Sequence, residues 1–143
     1  MSVRTELSDL IRAMARRDWS TVDQLLDTLE TSGWQGGSQV IGAAFAIAVN
    51  DRFASGHSPT EVARYVTETR AQFPASESLS ALEMEGLVRA ALGETHLVEH
   101  MSPETALQIQ IVLLGKLLRD RSMTEDQLED FVADVERTAA EFL

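Results

Sequence analysis

The sequence predicts an all-α fold, a single-domain bundle of about six to seven helices over residues 1–143, and three observations carry that expectation. Val40–Val49 (V-I-G-A-A-F-A-I-A-V) is an unbroken apolar run with no polar face. Such a run is expected to be buried on every side, yet it falls short of the roughly 18 to 20 residues that cross a bilayer. Helix-start signals recur at Ser58-Pro59, Ser102-Pro103 and Thr124, and the remaining apolar residues return at helical rather than strand spacing. The central, most buried helices are expected near 38–54 and 103–120.

Leu7, Leu10, Ile11 and Met14 mark the apolar stripe of a first helix over about residues 4–17. Ser20, with Asp23 in the first turn, reads as the cap of a second, whose Val22, Leu25, Leu26 and Leu29 run to about Ser32 before Gly33, Gly36 and Gly37 break it. A third helix contains the apolar run and reaches about Ala54, with Gly56 as a left-handed stop. Its small residues Gly42, Ala43 and Ala46 would let another backbone come close. Ser58-Pro59-Thr60-Glu61 opens a fourth helix, since serine caps, proline suits the first position and Glu61 can reach back. Val62, Tyr65, Val66, Thr69 and Phe73 form its inner face up to Pro74.

A serine-rich break, Ala75–Ser78, precedes a fifth helix with Leu79, Leu82, Leu87, Val88 and Leu92 apolar before Gly93. Ser102-Pro103-Glu104 starts the sixth. There Gln108 and Gln110 alternate with apolar neighbours as in a strand, but length and capping favour a helix. Thr124 and Gln127 suggest a capping box for the seventh, whose Leu128, Phe131, Val132, Val135, Ala139 and Phe142 face inward. Thr21–Asp27 and Thr124–Asp130 echo one another, which generic helix-start chemistry explains as well as duplication does.

The absence of cysteine excludes disulfides, thiolate zinc sites and cysteine nucleophiles. The acidic residues in M-S-V-R-T-E-L-S-D-L interrupt what a signal peptide requires, so a cytoplasmic protein without a membrane segment is expected. A net charge of -11 disfavours nucleic-acid binding, which neutralises phosphates. Ser58–Val66 is similar to the first helix of a helix-turn-helix, but a basic recognition helix is missing, because Glu77, Glu83 and Glu85 face Arg89 alone. Lys116 is the sole lysine beside eleven arginines, a composition that suits a GC-rich coding genome.

The sharpest chemical pattern is His96-Leu97-Val98-Glu99-His100, the H-x-x-E-H string of inverted zinc metallopeptidases. On an α-helix, His96 and His100 would share a face and bind zinc, Glu99 would activate water, and Glu94 or Glu104 would complete the set. Against this, those peptidases use larger folds with a distant third ligand, and the string lies between Gly93 and the Ser102 cap, where a connector is the simpler reading. The seventh helix is strongly acidic. Asp126, Asp130 and Asp134 are candidates to dock a basic protein partner, although most such runs are solvated faces. Arg12, Arg16 and Arg17 of the first helix would satisfy some of this acidity, within one chain or across a homodimer. Trp19 and Trp34 read as partner anchors or, more commonly, as covers on a core rim. Asn50, Asp51 and Arg52 read as the mouth of a pocket or as an ordinary helix end. G-W-Q-G-G at Gly33–Gly37 lacks the lysine and strand-to-helix setting of a phosphate loop.

A-R-R-D-W-S-T-V-D-Q-L-L, E-V-A-R-Y-V-T-E-T-R-A-Q-F and L-V-R-A-A-L-G-E resemble segments of uncharacterised all-helical proteins of high-GC bacteria. That resemblance implies a bacterial helical protein and no activity. The leading expectation is a non-catalytic interaction or regulatory module, with no cofactor, that offers a helical surface to a protein partner or to a second copy. A small-molecule site beside the third helix comes next, and a zinc-binding protein or hydrolase using His96, Glu99 and His100 comes third.

Overall fold

The computed structural model describes residues 3–32, 37–53, 58–73 and 78–141. Among them are seven α-helices, one 3₁₀ helix and no strand. The α-helices are α1 (Val3–Ala15), α2 (Trp19–Ser32), α3 (Gly37–Arg52), α4 (Pro59–Gln72), α5 (Ala81–Ala91), α6 (Pro103–Arg121) and α7 (Glu125–Ala140), and the 3₁₀ helix, Thr95–Val98, lies between α5 and α6. The all-α expectation is therefore met, and no described helix is long and apolar enough to cross a membrane. Expectations placed on Gly33, Trp34, Gly36, Gly56, Pro74, Ala75 and Phe142 lie outside the described residues.

Two compact units make up the chain, Met1–Ala44 with Leu117–Leu143, and Phe45–Lys116, and the division falls within α3 and within α6. In the first unit α1 packs against α2 and α7. Leu7, Leu10, Ile11 and Met14 are buried on α1, as predicted, opposite a core to which α7 supplies Leu128, Phe131, Val132, Val135 and Ala139. The α1 terminus closes without glycine. Arg17 takes a φ of 60°, while the Asp18 N–H donates to Ala13 O (3.0 Å) and the Arg17 N–H to Met14 O (3.2 Å), a Schellman-type ending. The Arg17 guanidinium then donates to the Arg119 carbonyl at 3.3 Å. Asp18, not Ser20, caps α2, accepting the Thr21 N–H (3.3 Å) and hydroxyl (2.6 Å). Thr21 thus sits inside α2, whereas Thr124 is itself a cap, so the two echoed segments occupy different helical positions.

In the second unit α4 packs against α5, and α5 against the 3₁₀ helix. Ser58 caps α4 by accepting the Glu61 N–H at 3.2 Å, and Ser80 caps α5 by accepting that of Glu83 at 3.3 Å. Val62, Tyr65, Val66 and Thr69 are buried on α4, as their spacing predicts. The Tyr65 ring meets Phe53 edge to face at 5.8 Å and lies beneath the Lys116 ammonium, 4.8 Å from the ring centre. Lys116 is 2% exposed, bonds the Gln72 side chain at 3.2 Å and lies 3.8 Å from Glu68.

The apolar run of α3 departs from the expectation of burial on every side. Val40, Ile41, Ala44, Phe45, Ala48 and Val49 are buried, but Gly42 and Ala46 are half-buried and fall in line with the exposed Gln39 and Asn50. Helical periodicity explains the difference, because positions 39, 42, 46 and 50 share one face. At Gly42 an added Cβ would meet nothing within 4 Å, so glycine there does not serve a close backbone approach.

A candidate interaction groove on α4, α5 and the 3₁₀ helix

The start of α4 and the outer side of α5 form the walls of an open groove of about 570 Å³. Pro59, Thr60 and Ala63 line it from α4, Leu82, Glu85, Gly86 and Arg89 from α5, and Leu97 from the 3₁₀ helix. The local sequence builds each wall. Ser58 and Pro59 begin α4 abruptly, Ser80 begins α5, and Gly93, at a φ of 120°, turns the chain after α5 so that the 3₁₀ helix runs back over it. The turn is held by the Gly93 N–H on Ala90 O and the Glu94 N–H on Arg89 O, both at 3.0 Å. Gly86 is buried beneath it, and a Cβ there would stand 3.6 Å from the Leu97 carbonyl oxygen. Asn50 secures the end of α5 from the side, its amide donating to Ala91 O at 3.1 Å and Ala46 O at 2.8 Å.

Leu82 is 78% exposed and Leu97 38%, and they are the large exposed hydrophobic side chains among the described residues. Both line this groove. Of the apolar residues of this segment, Leu87 and Val88 join Met84 and Gly86 on the buried face of α5, while Leu82 lies in solvent. The ionic lining is nearly self-satisfied. Arg89 makes a bidentate pair with Glu94 at 2.8 and 2.7 Å, which raises its pKa further above the ordinary value through that hydrogen bond.

The H-x-x-E-H residues do not lie on an α-helix. His96 lies in the 3₁₀ helix, Glu99 ends it and His100 follows in a turn, all three exposed. The α-helical repeat that would bring residues four apart onto one face is therefore not what relates His96 to His100. Among the described residues no group of three or more histidines or carboxylates is placed to hold a metal ion.

The acidic α7 divides into two faces. Glu129 forms a bidentate pair with Arg12 at 2.9 Å, Glu125 pairs with Arg16 at 2.8 Å, and Glu136 accepts the Ser8 hydroxyl at 2.7 Å. The arginine hydrogen bonds hold the Glu125 and Glu129 carboxyls below their ordinary pKa and lift those of Arg12 and Arg16. These contacts lie within one chain, the simpler of the two arrangements expected for them. On the other face Asp126 and Asp130 are exposed, and Asp134 is half-buried and pairs with Arg137. Trp19 is half-buried at the start of α2.

A smaller cavity of about 220 Å³ lies at the end of α3, lined by Arg52, Phe53, Glu61, Arg64, Tyr65 and Glu68. Arg52 stacks over both rings, 5.1 Å from Phe53 and 5.2 Å from Tyr65. No family model, curated protein or solved structure matches the chain.

Proposed function

We propose that this protein is a non-catalytic interaction module that presents the α4–α5 groove to a protein partner. One observation supports the reading most: the large hydrophobic side chains left in solvent among the described residues, Leu82 and Leu97, line a single groove. Burying a leucine side chain is worth about 1.5–3 kcal/mol, and helix ends capped by Ser58, Ser80 and Gly93 hold these two side chains in place without burying them. Such a surface is organised before it is covered.

The test is capture from cell extract with the intact chain and two variants, Leu82→Glu and the triple reversal of Asp126, Asp130 and Asp134 to lysine. A partner lost with Leu82→Glu and kept by the triple variant supports the groove. Loss with the triple variant alone transfers the function to the outer face of α7. Metal analysis of the same protein addresses the zinc reading: stoichiometric zinc that disappears in His96→Ala would displace the present proposal.

A further inference from the structure

We infer that the groove accepts a basic amphipathic helix from a protein partner, with apolar side chains set against Leu82 and Leu97 and a lysine or arginine beside Glu85. The inference rests on the interaction reading above and adds the chemistry of the occupant. Peptides are recognised by a small number of physical modes, and the lining eliminates most of them. Strand addition needs an open sheet edge, and the walls here are helices whose backbone groups bond within themselves. Proline-rich segments dock between aromatic rings, and none of the lining residues among those described is aromatic. Acidic or phosphorylated segments need free arginines, but Arg89, the one arginine of the lining among the described residues, already has its Nε and Nη2 on Glu94. A helix remains, because it satisfies its own backbone while laying an apolar stripe into a trough.

Charge selects the sign of that helix. Glu85 acts electrostatically on the Arg89 guanidinium that Glu94 already neutralises, so the three groups together carry one surplus negative charge. Glu83, in the first turn of α5, has the same sign. An anionic occupant would have to break the Arg89–Glu94 pair, whereas a cationic one meets a carboxylate already in place. The net charge of -11 on the chain steers encounters the same way.

The experiment uses the full chain and dye-labelled helical peptides read by fluorescence anisotropy. One set has leucines at i, i+3 or i+4 and i+7 flanked by lysines, and a twin set has glutamate in place of each lysine. Saturable binding of a lysine peptide, weakened about tenfold or more by Leu82→Glu, is expected. Glu85→Lys should then weaken the lysine peptide and strengthen its glutamate twin, a reversal that simple loss of structure would not produce. Thermal melts of both variants establish that they fold. Failure of every lysine peptide to bind, equal binding of the twins, or weakening of both by Glu85→Lys overturns the inference. Equal binding that still depends on Leu82 would leave the interaction reading standing while this one falls. Leu82-dependent self-association in sedimentation would likewise replace the basic helix by a second copy of the chain.

Discussion

The α1–α7 seam and the α4–α5 groove are both places where helices meet, and they are finished differently. In the seam, Leu7, Leu10, Ile11 and Met14 are buried and the rim is stitched by Arg12–Glu129 and Arg16–Glu125. In the groove, the ionic pair is closed but Leu82 and Leu97 remain in water. Two acidic side chains of α7 are thus answered within the seam, whereas the large hydrophobic side chains left exposed among the described residues line the groove. A charge run is a poor guide to a partner site when an oppositely charged helix of the same chain lies against it.

The sharpest way to break this comparison is to truncate one leucine in each region. Leu10→Ala should destabilise by about 2–5 kcal/mol, as expected for a fully buried leucine. Leu82→Ala should change stability by less than about 0.5 kcal/mol. Urea denaturation monitored by circular dichroism measures both. A comparable loss at Leu82 would make the groove part of the core and remove its claim as a docking surface.

Between these extremes lies Gly42, which belongs to neither surface. Glycine inside a helix costs about 0.5–1 kcal/mol relative to alanine, and the space around it would accept a Cβ without contact. Gly42→Ala should therefore raise stability by that amount in the same denaturation experiment. A loss instead would show that this face of α3 needs a close approach, as its small residues first suggested.

Particular residues explain how much of this was legible in sequence. Ser58, Ser102 and Thr124 announce their helices because a capping side chain acts on amides two or three residues away. Gly93 announces the turn after α5 because glycine accepts positive φ at no steric cost. Arg17 adopts a positive φ with no such signal, and the carbonyl of Arg119 that anchors it is 102 residues away, beyond any local pattern. Leu82 is legible in sequence only as one of the apolar residues of α5. The exposed outcome depends on which side of α5 faces α4, and periodicity alone leaves that open. The groove needed three segments to be placed, so only its helices were visible beforehand. His96 and His100 were visible as a string, but the string carries its chemistry only on an α-helix, and Gly93 and Ser102 leave room for a 3₁₀ turn instead.

The smallest expected effect, and the one most specific to the seam, is its response to acid. The folded-state pKa values of Glu125 and Glu129 lie below the ordinary 4.5, chiefly through hydrogen bonds from Arg16 and Arg12. A carboxyl with a depressed pKa binds fewer protons folded than unfolded, so its contribution to stability is complete above 4.5 and is lost as the pH falls through the lowered value. The paired arginines, raised further above their ordinary value, begin to lose their share only in strong alkali. Both carboxylates are solvent-exposed, at 68% for Glu125 and 51% for Glu129, so the contribution is small and screened by salt. Melting temperature followed from pH 7 down through this range should fall less steeply for Glu129→Gln than for the parent chain, and the gap should narrow in about 0.5 M salt, where the screening length is only a few ångströms. Leu82→Ala should keep the parent's acid profile. If Glu129→Gln leaves the profile unchanged, the rim pairs contribute nothing to closing the seam. The difference between the two regions would then rest on buried leucines alone.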